Sequence, residues 1–472
     1  MKKKLLFLVA ILFVFTLSVF GCGGATLSGG PSLTDTVYGN GGSAVVKGDY
    51  LYFANAYYDY NKLGSNDNKY DRDGQLQKNY GIYRIKLNKN GVVDLNSKGV
   101  PTGAELLVPQ VGGYEKSGLY ICGEYLYYTT PYSGYKQGES ELTKGLLRFE
   151  KIKLNGDDHV ILSEGEYTTE CEYSINYVDG NTYITVFSDE KVNVIKSQSN
   201  GNKSSYKIAS SVVDYCVETQ ETLKHNKATN NVNKYVYYTK KSDNEKYSLY
   251  RKHLNGGAEE TLISVSSDEI TLEAVKNNRV YFKQANILKS STFELNADVN
   301  VYTNIAIEKD ATTNIVDYII LDDTLGYAQD RGIVAVYTDS SAYYLYNYTT
   351  NGSQLLHTES KQINLVLTTG NEVLFQVAED EKLYSIDFSD VQNINKKVVL
   401  NSFSATIGEE ESSTTSFDYD GERIFYFAKA ADTNEKLNYL HVALLEGNAY
   451  KDEGGNSVGH YIGILDSSDI KK

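Results

Sequence analysis

One unit recurs along this chain and constrains its fold more than any other feature. Its first half is an apolar strand, a turn containing Gly or Asn, and an aromatic strand, as in SAVVKGDYLYF at 43–53 and GLYICGEYLYY at 118–128. Its second half is a strand ending near Asn-Gly, as in FEKIKLNG at 149–156. Alternating apolar and polar residues have the period of two that a half-buried strand requires. A short strand follows each turn, so the unit predicts four antiparallel strands, which is one propeller blade.

The number of units sets the size of the predicted ring. The first half occurs in seven clear copies. In an eighth copy, an insertion separates the first strand, VVDYCVE at 212–218, from the second, YVYY at 235–238. The step between units is about 53 residues, near the upper end for propellers. We therefore predict an all-β fold, a single β-propeller of eight blades, with seven blades as the main alternative and β-sandwiches as the other architecture. A closed ring is favoured because it removes exposed strand edges.

Asn-Gly pairs follow several of the predicted third strands. This dipeptide is the usual choice for the two positive-φ positions of a type I′ hairpin. We therefore predict type I′ turns at the pairs that begin at Asn155, Asn200, Asn255 and Asn351.

The N-terminus has the features of a secretion signal. Lys2, Lys3 and Lys4 precede an apolar run that is short for the alternative, an uncleaved transmembrane helix. The ending Val-Phe-Gly-Cys at 19–22 resembles the lipobox of bacterial lipoproteins, although Phe20 is bulkier than usual. We predict a signal peptide at 1–21, lipidation at Cys22, a flexible tether at 22–36 and the propeller at 37–472. The protein would then be extracytoplasmic and held at a bacterial cell membrane by its lipid alone.

Composition argues against nucleic acid as a partner, and the spacing of the cysteines argues against a zinc site. The chain has 42 Tyr and no Trp, and its formal net charge is −15. Such a charge disfavours attraction to phosphate, so we do not expect nucleic acid to bind. Cys122, Cys171 and Cys216 remain after Cys22, in spacings that match no zinc motif, so we expect buried thiols.

The repeats resemble a known bacterial family. The pattern GDYLYF at 48–53, followed by a segment such as LYRKHLNG at 249–256, is similar to a family of unknown function named for its likeness to the β-propeller of low-density-lipoprotein-receptor-related proteins. The resemblance covers most of the mature chain. It implies a propeller on a secreted or lipid-anchored protein and supplies no catalytic residue.

No catalytic signature stands out in the sequence. The six His form no two-ligand spacing, and we expect them on solvated blade faces. No G-x-S-x-G elbow occurs. The Asp-rich segment 66–74 fails as an EF-hand, because Lys69 and Tyr80 stand where carboxylates are essential. We predict no cofactor, and the alternative to a plain solvated loop is a looser calcium site formed by Asp67, Asp71 and Asp73.

Long insertions mark a candidate binding face. They fall between the second and third strands of the first two units, at 54–80 and 129–145, and should lie side by side at one face of the propeller. Tyr supplies rigid contact area together with a polar hydroxyl, which suits binding to protein or glycan. The alternative is that Tyr simply replaces Trp and Phe throughout the chain. The predicted face comprises Tyr57, Tyr58, Tyr60, Tyr70, Tyr80, Tyr132 and Tyr135.

These features favour a binding or scaffolding module over an enzyme. The predicted partner is a protein or a glycan. The alternative function is a carbohydrate-active hydrolase or lyase, whose acidic residues would converge on the central channel from distant strands. A sensory or assembly subunit of a membrane complex would share the features of the binding module.

Overall fold

The computed structural model describes most of the chain downstream of the predicted tether. The described residues are 37–39, 41–56, 81–109, 118–134, 143–168, 170–198, 201–217, 234–276, 279–284, 287–292, 302–305, 314–321, 333–339, 341–349, 352–369, 371–389, 392–403, 406–407, 414–415, 417–420, 422–429 and 438–462. Asp35–Lys472 is one compact unit. No helix occurs among the described residues, and so none of them forms a helix that could cross a bilayer.

Eight antiparallel sheets follow one another along the chain and form the blades of a β-propeller. Blades 1 to 4 comprise β2 (Ala44–Lys47), β3 (Tyr50–Ala54), β4 (Ile82–Lys86) and β5 (Glu105–Val108); β6 (Tyr120–Cys122), β7 (Tyr125–Gly134), β8 (Thr143–Lys153) and β9 (Val160–Thr168); β10 (Glu172–Val178), β11 (Asn181–Ser188), β12 (Lys191–Gln198) and β13 (Lys203–Ser210); β14 (Val212–Val217), β15 (Tyr235–Lys241), β16 (Tyr247–His253) and β17 (Glu259–Ser266).

Blades 5 to 8 repeat this order. They comprise β18 (Ile270–Lys276), β19 (Arg279–Gln284), β20 (Ile287–Thr292) and β21 (Tyr302–Ile305); β22 (Asn314–Ile320), β23 (Ile333–Thr338), β24 (Tyr343–Thr349) and β25 (Gly352–Glu359); β26 (Ile363–Thr369), β27 (Glu372–Val377), β28 (Leu383–Asp387) and β29 (Lys396–Leu400); β32 (Phe417–Tyr419), β33 (Arg423–Lys429), β34 (Asn438–Leu444) and β35 (His460–Tyr461). A separate pair, β30 (Thr406–Ile407) and β31 (Thr414–Thr415), lies between the last two blades in sequence. The prediction of eight four-stranded blades is confirmed.

Blade 2 carries a fifth strand that comes from the N-terminal end of the described chain. β1 (Val37–Tyr38) pairs antiparallel with β6, the first strand of that blade. Val37 is buried in a cluster with residues of blades 2 and 3. The start of the propeller is therefore fastened to the second blade by strand pairing.

Blades 8 and 1 are joined by side-chain and bridge contacts. The backbone N–H of Val93 donates to the hydroxyl of Tyr450 over 3.1 Å, and Arg423 Nε donates to the carbonyl of Gly91 over 2.7 Å. An isolated antiparallel bridge links Ala56 to Tyr439. These contacts close the ring between residues far apart in sequence.

The turns after the third strands differ from the prediction. Gly156 and Gly256 have φ values of 92° and 93°, but Asn155 and Asn255 are not in the positive-φ region. Each pair therefore ends a type I turn followed by a left-handed glycine, which forms a bulge, and the type I′ prediction is wrong at both sites. Type I′ geometry occurs instead at Asp179-Gly180, where φ is 50° and 73°. The pairs at Asn200 and Asn351 include undescribed residues.

Tyrosine fills many core positions. Fully buried tyrosines include Tyr52, Tyr83, Tyr183, Tyr237, Tyr238, Tyr337 and Tyr439. A buried phenol needs a hydrogen-bond partner, and several find one in the next blade. Tyr127 of blade 2 donates to Thr182 of blade 3 over 2.8 Å, and Tyr183 of blade 3 donates to Asn255 of blade 4 over 2.8 Å. Tyrosine therefore joins neighbouring blades as well as packing between them.

Two expectations about buried groups have different outcomes. Cys122 and Cys171 are buried thiols as predicted, whereas Cys216 is only half-buried. His441 lies in the interior with 6 % of its surface exposed, so the prediction of solvated histidines is wrong for this residue.

Candidate functional site in the central channel

Most of the predicted site residues lie outside the described part of the chain. These are Cys22, Tyr57, Tyr58, Tyr60, Tyr70, Tyr80 and Tyr135, together with the calcium candidates Asp67, Asp71 and Asp73. The backbone of Tyr132 is described, and it lies within β7, paired with Leu146 of β8. Because β7 continues to Gly134 and β8 begins at Thr143, much of the expected loop at 129–145 is strand.

A cavity of about 720 Å³ lies among the first strands of four consecutive blades, β10, β14, β18 and β22. First strands of neighbouring blades pack against one another, as β14 does on β18, so they are the innermost strands and the cavity belongs to the central channel. Its volume is within the range of small-molecule sites. The lining residues on which the argument depends are Glu172, Ser174, Tyr215, Glu273, Lys283 and Tyr318.

A β-bulge shapes the innermost strand in blades 4 to 7. The extra residues are Val213, Glu273, Val316 and Val366. A bulge re-aims the side chains that follow it. In blades 4 and 6 the next residues are Asp-Tyr, at 214–215 and 317–318. The preceding valines are each 39 % exposed, which is unusual for large apolar residues in this protein.

The two bulge-following aspartates tie neighbouring blades together. Asp214 Oδ1 accepts from the backbone N–H of Tyr215 over 2.8 Å, and Oδ2 accepts from that of Leu272 in blade 5 over 2.6 Å. Asp317 repeats this with Tyr318 over 2.8 Å and with Leu365 in blade 7 over 3.0 Å. Burial raises the pKa of both carboxyls, and the backbone donors counteract part of that effect.

Glu273 is engaged on both of its oxygens. Lys283 Nζ lies 3.2 Å from Oε1, and the hydroxyl of Tyr318 donates to Oε2. The ammonium of Lys283 also lies 4.7 Å from the centre of the Tyr318 ring, in the position of a cation–π contact. Burial first, and this hydrogen bond second, raise the pKa of Tyr318 far above its usual value. The phenol therefore stays protonated at physiological pH.

Glu172, Ser174 and Tyr215 form the other side of the cavity, between blades 3 and 4. Glu172 is exposed, and no hydrogen bond or ion pair joins its carboxylate to the described residues. Ser174 is 7 % exposed, and its hydroxyl oxygen has no hydrogen-bond partner in the described structure. Burial, followed by the charge of Glu172, raises the pKa of Tyr215 well above its ordinary value. The Tyr215 ring packs against Phe187 with centroids 5.1 Å apart.

This arrangement suits recognition of a polar ligand. The cavity offers a carboxylate, an unsatisfied buried hydroxyl and aromatic faces, whereas the other carboxylates hold the blades together. Sequence reasoning missed these residues, although the related segments VVDY at 212–215 and IVDY at 315–318 were a usable signal.

Comparisons with known proteins find similar solved structures only. No family model matches it, and no curated protein matches it. A puromycin-hydrolyzing peptidase from Mycobacterium tuberculosis is similar in structure, with 10 % identity and a TM-score of 0.43, covering 71 % of this chain and 52 % of that one. One of two prolyl endopeptidases has 8 % identity and a TM-score of 0.41, with coverages of 87 % and 55 %. The chain thus spans about half the length of these peptidases.

A third similar structure is that of apo AztD from Citrobacter koseri. Its identity is 11 % and its TM-score 0.41, and the match covers 81 % of this chain and 91 % of that one. Likenesses of this degree assign no activity to the chain.

Proposed function

We propose that this protein is a lipid-anchored extracytoplasmic binding or scaffolding module, in preference to the alternative of a carbohydrate-active hydrolase or lyase. The observation that carries the proposal is the engagement of the carboxylates in and next to the cavity. Asp214 and Asp317 each accept two backbone hydrogen bonds, and Glu273 is held by Lys283 and Tyr318.

Glycoside hydrolysis requires two carboxyl groups that can act on the substrate, one as acid and one as base or nucleophile. A carboxylate whose two oxygens already accept backbone N–H groups must give up those bonds before it can act on a substrate. Glu172 is the one carboxylate lining the cavity that makes no hydrogen bond or ion pair to the described residues. One carboxylate without a partner can recognise a positively charged ligand, whereas glycoside hydrolysis would need two.

The partner proposed for the candidate binding face is a protein or a glycan. It would be contacted by the predicted tyrosine face, Tyr57, Tyr58, Tyr60, Tyr70, Tyr80, Tyr132 and Tyr135. The support is composition: seven tyrosines occur in two segments of neighbouring blades. Buried tyrosines elsewhere in the core support the competing explanation, in which Tyr is the general aromatic of this chain.

Loop removal tests this proposal. Replacing 57–79 and 135–142 by short Gly-Ser linkers spares the described strands on either side, and shortening a loop changes its closure entropy by less than about 1 kcal/mol per halving. The matched control shortens 218–233, between β14 and β15 of blade 4. We expect the first variant to lose native partners in a pull-down or ligands on a glycan array while keeping the wild-type melting temperature. Full retention of ligands, or turnover of a polysaccharide by the wild type, would contradict the proposal.

A further inference from the structure

Blades 3 and 4 present the same kind of residues to the channel as blades 5 and 6. In both pairs an innermost-strand glutamate lines the cavity beside the tyrosine of the following blade. Glu273 accepts a hydrogen bond from Tyr318, whereas Glu172 acts on Tyr215 through its charge, which after burial raises the pKa of that phenol. In both pairs a second-strand side chain packs on that tyrosine. This side chain is Phe187 in blade 3 and Lys283 in blade 5.

The difference between the two pairs lies in the ammonium group. In blades 5 and 6, Lys283 places its ammonium 3.2 Å from the carboxylate of Glu273 and 4.7 Å from the Tyr318 ring centre. In blades 3 and 4, Phe187 supplies a second aromatic ring instead, so Glu172 has no cationic partner among the described residues. Lys283 thus shows, within the same channel, how a cation is held by this set of groups.

Ser174 supplies the second, independent indication of a ligand. It lies two residues from Glu172 on the same strand, so both side chains project from the same face. Ser174 is 7 % exposed, and leaving its buried hydroxyl without a hydrogen-bond partner is unfavourable. A ligand that donates a hydrogen bond would relieve this cost.

We propose that the cavity between blades 3 and 4 binds a small organic cation with a protonated primary amine. The carboxylate of Glu172 pairs with the ammonium, the Ser174 hydroxyl accepts one of its N–H groups, and the ring of Tyr215 contacts its positive charge. This inference rests on the proposed function, since it names a ligand for a binding module and requires no reaction.

The nearby charges agree with a cationic ligand. Burial is the main cause of the raised pKa of Asp214, and the negative charges of Glu172 and Glu273 add to it. Lys283 neutralises Glu273, which leaves the charge of Glu172 uncompensated. An anionic ligand would be repelled by that charge, and a neutral ligand would gain a hydrogen bond to the carboxylate without the attraction between opposite charges.

Calorimetric titration of the full mature protein with paired probes tests the proposal. The amines are glucosamine and 1,4-diaminobutane, and their neutral counterparts are glucose and butane-1,4-diol. We expect at least one amine to bind, and its neutral counterpart to bind at least about 10-fold more weakly, because a charge-assisted contact is lost. The two amines distinguish an amino sugar from a diamine as the source of the ammonium.

Three variants and a control assign the binding to these residues. Glu172→Gln should weaken amine binding at least about 10-fold, and Ser174→Ala should weaken it a few-fold without lowering the melting temperature, because an unsatisfied hydroxyl is removed. Phe187→Lys copies blade 5 and should abolish binding by supplying an internal ammonium. The control Asp189→Asn removes a charge from the same blade. Residue 189 has a φ of 52°, which Asn tolerates, so the variant should fold normally and leave binding unchanged.

Several outcomes would overturn the inference. They are equal binding of amine and neutral probes, binding by no amine, or unchanged affinity in Glu172→Gln. If one of these results is obtained and the loop-shortened protein still loses its partners as expected, the inferred amine ligand is wrong but the proposed binding module is not contradicted. Chemical conversion of a probe would instead contradict the proposed function itself.

Discussion

Asp214 of blade 4 accepts a 2.6 Å hydrogen bond from the backbone N–H of Leu272 in blade 5. Leu272 immediately precedes the bulge of its own strand, and Leu365, the partner of Asp317, holds the same position in blade 7. One aspartate thus satisfies the irregular backbone of the next blade, because a bulge leaves a residue unpaired in the ladder. Blades 4 and 5 and blades 6 and 7 are therefore linked in the same way.

Replacing either aspartate by Ala should destabilise the propeller to a similar extent. Asp214→Ala and Asp317→Ala each leave two backbone N–H groups without their acceptor, and we expect a loss of about 1 to 3 kcal/mol of unfolding free energy. Denaturant unfolding measures it. Asp179→Asn is the control, because a type I′ turn accepts Asn, and it should be near neutral. A large difference between the two Ala variants would contradict the equivalence of the two links.

Closure of the ring can be tested at Tyr450. Its hydroxyl accepts from the backbone N–H of Val93 in the first blade, and both residues are buried. Tyr450→Phe keeps the ring but leaves that N–H unsatisfied, so stability should fall by about 1 to 3 kcal/mol. Tyr343→Phe, on the third strand of blade 6, should change stability by less than about 0.5 kcal/mol. Equal melting temperatures for Tyr450→Phe and the wild type would show that this contact does not help to close the ring.

His441 should make stability depend on pH in acid. Burial lowers its pKa to about 4, and the charge of His460 adds to the effect. The unfolded chain binds a proton near pH 6.5 and the folded chain does not. The stabilisation is therefore complete above pH 6.5 and is lost as the pH falls toward 4, by up to about 3 kcal/mol. In His441→Phe, melting temperatures measured between pH 7 and 4.5 should fall less steeply than in the wild type, and an identical slope would refute this assignment.

Membrane attachment depends on Cys22 in our account. Cys22→Ser removes the sulfur that would be acylated, so fractionation should find the protein soluble or in its uncleaved form. A radiolabelled fatty acid should be incorporated into the wild type only. Normal cleavage together with full retention at the membrane would exclude the predicted anchor.

The sequence predicted the blades because each one repeats a local pattern. The apolar strand, the turn containing Gly or Asn and the aromatic strand that follows it can each be recognised within a few residues. Strand pairs such as β2 and β3 could therefore be placed without long-range information. The hidden blade was placed correctly as well, since β14 pairs with β15 across the insertion.

The channel site could not be predicted in the same way. Glu172, Tyr215 and Glu273 come from three blades, and they meet only because the ring closes around them. The bulges at Val213 and Glu273 shift the register by one residue, which changes the face on which later side chains lie. The turns at Asn155 and Asn255 show a local limit, because Asn-Gly is compatible both with type I′ and with a type I turn plus bulge.

The most direct test of the binding-module account is equilibrium capture followed by mass spectrometry of the captured ligand. The immobilised mature protein is incubated with a glycan library and with extracts containing native partners, washed, and eluted under denaturing conditions. The account predicts that ligands elute with unchanged mass and that capture falls in the variant shortened at 57–79 and 135–142. Elution or release of cleaved ligand, dependent on the folded protein, would contradict it.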